Sequence, residues 1–249
     1  MLKINNLRNY FLECYWYFKR YGEAQRNRNK TTEEVFTDIY ETGKWGNSEE
    51  GFCSGLGSVD QQTVSPYVSM IFQMAAREGF EGLSFVDLGC GDFCVGQQLL
   101  TLCSRYTGVD IVKPLIDRNQ VKYGDETTHF VHLNMVDDPL PTGDVCFVRQ
   151  VLQHLSNQQI VTVLSKLKLY KWVFITEHYP THNSSIKPNK DKVHGGDIRV
   201  CYNSGVYLTE PPFELPKSTL TEILEAPGTV GERSDRGVIR TFLYKPNGD

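Results

Sequence analysis

The sequence predicts an α/β protein built on a doubly wound parallel sheet, and three features carry that prediction. Short apolar runs alternate with stretches of helical periodicity through the middle of the chain. One of them, Phe85, Val86 and Leu88, stops at a glycine turn and feeds a helical stretch that carries Val95, Leu99 and Leu100. Two others, DVCFV at 144–148 and WVFIT at 172–176, are strongly apolar and read as the fourth and fifth strands.

The chain has 249 residues, enough for one large α/β domain with additions and a substantial core. At 40% hydrophobic and 22% charged it has the composition of a globular protein. No apolar run approaches the roughly 18 residues of a membrane span. The start, MLKINNLRNYFLECYWYFKR, lacks a clean apolar segment and a small-residue cleavage site, so a secretory signal is not expected. Seven cysteines without a C-x-x-C pair read as free thiols in a reducing cytoplasm, the expected location. A net charge of −4 argues against nucleic-acid partners. The charge is uneven: from Met1 to Lys30 seven basic residues face two acids.

In chain order, Leu7, Tyr10, Phe11, Cys14, Tyr15 and Phe18 recur at helical spacing and predict an amphipathic helix over about 7–21. We expect it to pack over the domain; its aromatic and basic character also fits an interfacial or partner-binding helix. Thr31 caps a second helix through Val35, Phe36, Ile39 and Tyr40. The Gly- and Ser-rich stretch that follows carries Trp45 and Ser58, a loop composition suited to closing over a ligand. A helix over about 63–78 ends at Gly79. Further strands are expected at 106–111, 130–133, 220–224 and 238–244, with a Gly-rich connection joining the last two. The segment 177–216 holds five of the eleven prolines and three of the six histidines, and irregular segments of that length tend to be functional. Residues 1–62 therefore read as an N-terminal helical and lid segment, and 63–249 as the main domain, with 177–216 inserted on its substrate side and the whole a single unit.

The chemistry centres on Asp87–Leu88–Gly89–Cys90–Gly91. A strand that breaks at glycines brings backbone N–H groups to a point where a ligand can approach closely. Asp87 lies at the carboxyl end of that strand, where open α/β sheets bind ligands. The dinucleotide fingerprint needs a third glycine where Cys94 stands. A carboxylate two residues before the first glycine suits a cationic group such as an amino-acid ammonium. Asp110, 19 residues after Gly91, can accept from both ribose hydroxyls of an adenosine, whether of NAD or of S-adenosylmethionine. Asn134 and Met135, an amide beside an apolar side chain, suit an adenine.

The order and spacing of these motifs, with DVCFVRQVLQHL, resemble class I S-adenosylmethionine-dependent methyltransferases over about 80–176 and the two terminal strands. Phe93 stands where that family usually has its third glycine. The resemblance implies a Rossmann-like seven-stranded sheet with an antiparallel last strand, and S-adenosylmethionine as cofactor. It implies Asp87 near the methionine ammonium and Gly89, Cys90 and Gly91 along the methionine and ribose. Asp110 would take the ribose hydroxyls, Ile111 and Met135 would flank the adenine, and Asn134 would read its edge. Arg149 and Gln150 would lie beside the sulfonium, and Trp45 and Ser58 complete the expected cofactor set. The stretches IYETGKWG, SGLGS and GGDIRVCYNSGVYLTEPPFELP look like a narrower subgroup of uncharacterised or sugar- and small-molecule-directed enzymes, with Arg199, Asn203, Pro212 and Phe213 as the recognisable positions.

Methyl transfer to a hydroxyl is helped by a general base within hydrogen-bond reach. His154, just after strand four, is the first candidate; His178 and Tyr179 after strand five also point to the crevice. His194 and Arg199 are candidates to bind the acceptor, Arg199 through a phosphate or carboxylate. No metal is needed, although Asp137, Asp138, Glu177 and His178 offer ligand atoms. The expected function is methylation of a small-molecule acceptor, a hydroxyl of a sugar or related metabolite. A methyltransferase-fold scaffold protein, an NAD-dependent oxidoreductase or a protein-directed enzyme are the alternatives. No stable membrane insertion is expected.

Overall fold

The computed structural model describes residues 14–47, 51–181, 185–228 and 237–246 in full, and the backbone of a helix from residue 2. Leu7, Tyr10 and Phe11, and most of the connection between the last two strands, lie outside the residues with described side chains.

Seven strands form one sheet in the order β3-β2-β1-β4-β5-β7-β6. They are β1 (Ser84–Leu88), β2 (Arg105–Asp110), β3 (Thr128–His132), β4 (Val145–Arg149), β5 (Trp172–Tyr179), β6 (Leu220–Pro227) and β7 (Val238–Tyr244). The first five pair in parallel, and β7 enters between β5 and β6 antiparallel to both. The seven-stranded sheet with its antiparallel last strand is the one the sequence led us to expect.

Because strand side chains alternate between faces, β1 serves two layers. Val86 and Leu88 join one core with Phe36 and Ile39 of α2 (Thr32–Glu41), Leu115 of α5 (Lys113–Tyr123) and Ile160 of α6 (Asn157–Lys166). Phe85 joins the other, with Tyr106, Phe147 and Phe174 and with Tyr67, Ile71 and Met74 of α4 (Gln61–Glu78). The helix starts are written locally. Thr31 and Glu34 form a reciprocal capping box before α2, and Ser156 and Gln159 repeat it before α6. Asp60 accepts from the Gln62 amide to open α4, and Gly79 closes that helix at φ 72°.

Three expectations change. α1 runs over Leu2–Asn27, longer than expected, and its described aromatic residues Tyr15, Tyr17, Phe18 and Tyr21 are exposed rather than packed over the domain. The segment after the glycine turn is a 3-10 helix, Gly96–Leu102, whose buried residues Gly96 and Leu99 are three apart, the period of that helix. β4 does not run straight into a helix. A 3-10 turn, Leu152–His154, comes first, and α6 begins only after its own cap at Ser156.

Residues 180–216 contain no strand or α-helix among those described, yet they are ordered by buried side chains. Asn189 is 5% exposed; its amide nitrogen lies within 3.1 Å of the carbonyls of Tyr207, Glu210 and Pro211, and its oxygen accepts from the Tyr207 amide. The Pro211–Pro212 peptide is cis, Asn203 adopts φ 54°, and Phe213 is buried.

Candidate functional site

The carboxyl ends of β1, β2 and β4 and the turn after β3 open onto a crevice of about 340 Å³. Its floor is the glycine turn. Gly89 (φ 79°) would bring a Cβ to 2.4 Å from Val151, and Gly91 (φ 55°) would bring one to 2.3 Å from the Ser54 hydroxyl, so no side chain fits at either. Asp110 closes the turn: one carboxylate oxygen accepts from the Gly91 amide and the other from the Val112 amide, both at 3.1 Å. Asp87 accepts from the Tyr106 hydroxyl at 2.7 Å. Burial raises the pKa of both acids, that of Asp87 to about 6 against the pull of Tyr106 and Arg149. Two acids held ready at the ends of adjacent strands are an arrangement that a cationic, hydroxylated ligand relieves.

Phe93, at φ 67° and fully buried, turns away from the crevice. Its ring packs edge-on against Phe130 at 4.8 Å and Tyr106 at 5.3 Å, and against Tyr123 at 5.1 Å. The departure from glycine there supplies a core anchor and leaves the ligand side of the turn intact.

A loop over residues 51–59, including the short helix α3 (Leu56–Val59), covers the turn. The Ser54 amide donates to Asp92 at 2.8 Å, and the Asp92 amide donates back to the Ser54 hydroxyl at 2.7 Å. That hydroxyl also meets the Tyr40 hydroxyl at 2.8 Å, and Ser58 lies 3.4 Å from Asp92. Arg149 reaches up to the Gly57 carbonyl at 2.8 Å and lies over the Tyr67 ring. Its Nε, the Gln150 amide nitrogen and the Gln153 side-chain oxygen are buried polar atoms without a hydrogen-bond partner, at residues that line the crevice. Such atoms are costly unless a ligand or water meets them. Gln150 itself is held at φ 56° by a 2.6 Å bond from its amide to the Thr176 carbonyl.

His154 lines the same crevice. Its Nδ1 is 3.2 Å from the Gly195 carbonyl, which can only accept, so in the neutral ring Nδ1 carries the proton and Nε2 is the basic nitrogen. Burial, reinforced by Lys192, pushes its pKa down to about 3. Trp45 lies beside it, 5.0 Å between rings, and donates to the Gly196 carbonyl at 3.2 Å. Beneath the turn that carries His154 sits Glu177, fully buried, whose two oxygens accept from the Leu152 and Gln153 amides at 2.8 and 3.0 Å. Burial raises its pKa to about 8.

The crevice therefore brings together Trp45, Ser58, Asp87, Gly89, Cys90, Gly91, Asp110, Ile111, Asn134, Met135, Arg149, Gln150, His154 and His178. Three candidates are placed elsewhere. Tyr179 is buried and donates to the Val206 carbonyl at 2.6 Å. Arg199 is fully buried, donating to the carbonyls of Lys190 and Leu155, with the charge of Glu177 nearby; it ties the insertion to the β4 side, outside the crevice lining. His194 sits with Nε2 3.2 Å from the Lys30 carbonyl, outside the crevice lining. Asn134 lines the crevice, but its side chain donates to Asp137 at 2.6 Å and accepts from the Val136 amide, so its amide is spent on the turn. Sequence reasoning missed Asp92, Tyr40, Tyr67 and Gln153. Asp92 left one signal, a carboxylate directly after the last turn glycine and opposite a serine-rich loop.

Residues 86–168 match the family model described as a methyltransferase domain. They span β1 to the end of α6, the part of the chain that builds the crevice floor. That segment is a methyltransferase domain. The whole fold agrees. The N-methyltransferase NodS from Bradyrhizobium japonicum WM9, in complex with S-adenosylhomocysteine, superposes with a TM-score of 0.58 at 11% identity, over 87% of this chain and 100% of NodS. A Leishmania major S-adenosylmethionine-dependent methyltransferase gives a TM-score of 0.54 at 13% identity, covering 86% and 83%. The 1,6-didemethyltoxoflavin-N1-methyltransferase of Burkholderia thailandensis, bound to its substrate and S-adenosylhomocysteine, gives 0.54 at 16% identity and 87% of each chain. No curated protein sequence matches this chain.

Proposed function

We propose that this methyltransferase transfers the methyl group of S-adenosylmethionine to a small-molecule acceptor, a hydroxyl of a sugar or related metabolite. The observation that carries the reading is a single crevice joining two kinds of wall. One is the glycine turn with Asp87 and Asp110; the other is Trp45, Phe36 and neutral His154. The residues fit the cofactor: the glycine turn lines the crevice with bare backbone, and Arg149 and Gln150 keep buried donors without partners beside it.

In this reading Asp87 holds the methionine ammonium, Asp110 the ribose hydroxyls, and Ile111 and Met135 flank the adenine. Arg149, bearing positive charge next to Asp87, suits the methionine carboxylate. The bound cofactor supplies an electrophilic methyl group. Proximity and alignment do most of the remaining work. His154, neutral throughout the physiological range, accepts a hydrogen bond from the acceptor hydroxyl; as the C–S bond breaks and the C–O bond forms, the hydroxyl proton passes through His154 to solvent, since a pKa of about 3 keeps the ring from retaining it. Glu177 fixes the turn that presents it. Gln153, whose side-chain oxygen is unspent, accepts a second hydrogen bond from the acceptor. The toxoflavin enzyme holds a small molecule, 1,6-didemethyltoxoflavin, and supports that class of acceptor.

Calorimetric titration with S-adenosylmethionine and S-adenosylhomocysteine, with NAD as control, tests the cofactor. Micromolar binding of the first two and none of NAD is expected. A screen of hydroxylated sugars and small acids, read by S-adenosylhomocysteine release, tests the acceptor. Cofactor binding without turnover on any class of acceptor would favour a scaffold.

A further inference from the structure

The segment from Asn189 to Gly195 is stapled along the turn that carries His154. Asn157 donates from its side chain to the Asn189 carbonyl and from its amide to the Asp191 carboxylate, both at 2.8 Å. The Lys192 amide donates to that same Asp191 oxygen at 2.9 Å. Arg199 bridges the Lys190 and Leu155 carbonyls. The chain then meets His154 at Gly195. The Gly195 amide donates to the His154 carbonyl at 2.9 Å, and the Gly195 carbonyl accepts from His154 Nδ1 at 3.2 Å.

Lys192 closes this pair of contacts. Its ammonium donates to the His154 carbonyl at 3.2 Å and to the Gly195 carbonyl at 3.4 Å. A carbonyl oxygen has two lone pairs, so each of these oxygens is filled by one contact from the His154–Gly195 pair and one from Lys192. Among the described residues no carboxylate hydrogen-bonds this ammonium. The place is unfavourable for a charge: burial, with Arg199 and Lys44 nearby, pushes the Lys192 pKa down to about 7 against the pull of Asp197. An apolar side chain of the same length would fill the space without that penalty. What the lysine adds is two donors, both aimed at the carbonyls that fix one ring. The rings of Trp45 and Phe36 pack against that imidazole, and the charges acting on it are Lys192 and Lys44.

We propose that Lys192 is a positioning residue for His154: by holding the His154 and Gly195 carbonyls together it keeps the ring protonated at Nδ1, with Nε2 as the accepting nitrogen. The proposal rests on the reading of His154 as the group that takes the acceptor's hydrogen bond. Lys192→Met keeps the length and apolar stem of the side chain and removes its donors, whereas Lys192→Arg keeps donors for both carbonyls. Nitrogen-15 spectra of the histidine rings at neutral pH, assigned with His154→Gln, report the tautomer whether or not an acceptor is in hand. Wild type and Lys192→Arg should show Nδ1–H, and Lys192→Met a mixture of the two forms. On the best acceptor of the screen, Lys192→Met should lower kcat by about tenfold or more, the scale of a slightly misplaced reacting group. KM for S-adenosylmethionine should stay as it is, and Lys192→Arg should restore most of kcat. A lysine that only supports the fold would lower the melting temperature and leave tautomer and kcat in place, and that result overturns the proposal. Loss of turnover in His154→Gln with Lys192→Met fully active overturns it too. Lys192→Gln, shorter and uncharged, is measured to the same ends if Lys192→Met fails to fold. Should wild type turn over no acceptor, the reading of the site fails, and the ring spectra alone decide the role of Lys192.

Discussion

Asp87 and Asp110 are alike in sequence and differently employed in the fold. Asp110 spends one lone pair on each of two backbone amides and so fixes the turn as well as facing the crevice. Asp110→Ala is expected to weaken cofactor binding by about 1–3 kcal/mol, the scale of hydrogen bonds to a charged group; calorimetry showing unchanged affinity would remove it from the site. Asp87 has a pKa of about 6 without ligand, and an ammonium beside it would favour the ionised form. Cofactor affinity should therefore rise with pH up to about 6 and then level off, with proton release on binding below that point. Titrations in buffers of different ionisation enthalpy check the sign. Both aspartates were legible because their chemistry is tied to a local pattern, a strand end and a fixed distance from the glycines. Arg199, His194 and Tyr179 were not. Their residue types suit a site, but their partners are carbonyls 9 to 164 residues away in sequence, and no local pattern reveals whether a guanidinium faces a ligand or its own backbone.

Among the elements, the 3-10 turn at Leu152–His154 depends on a side chain from the next strand. Glu177→Gln removes one of two acceptor oxygens under that turn and should cost about 1–3 kcal/mol of stability, with turnover falling more than cofactor affinity. Glu177 also tilts the pH dependence of folding. Its pKa is about 8 when folded and near the ordinary 4.5 when unfolded, so the folded chain holds the extra proton between those values. Its contribution to stability is full below about 4.5 and is lost as pH rises toward 8. Subtracting the denaturation curves of Glu177→Gln from those of wild type across that range should isolate the slope. Phe93 is the other element-scale test. Phe93→Ala should destabilise by roughly 3–5 kcal/mol, the usual cost of emptying an aromatic core site, while cofactor affinity in the folded fraction is retained. The sequence marked Phe93 as a defect in a ligand motif because the motif describes the turn and not the layer beneath it.

Across the whole molecule, a doubly wound parallel sheet was readable from alternating apolar and helical segments, while the count of seven strands and the antiparallel last one followed from the family resemblance. The lid was readable only in part. Its composition announced a ligand-facing loop, but the residue that holds it, Asp92, lies 38 positions away. Saturation with cofactor should raise the melting temperature, by the equivalent of about 2.7 kcal/mol at a hundredfold excess over the dissociation constant, and NAD should leave it unchanged. The reciprocal bonds between Ser54 and Asp92, closed over Gly91, bear on the sequence of events in turnover. They hold the 51–59 loop over the floor proposed for the cofactor, while Gly196, Asp197, Ile198 and Cys201 complete the lining of the same cavity. We expect the cofactor to enter before the acceptor, and its spent form to leave after the methylated product. Steady-state kinetics should accordingly be ordered, with S-adenosylhomocysteine inhibiting competitively against S-adenosylmethionine and noncompetitively against the acceptor.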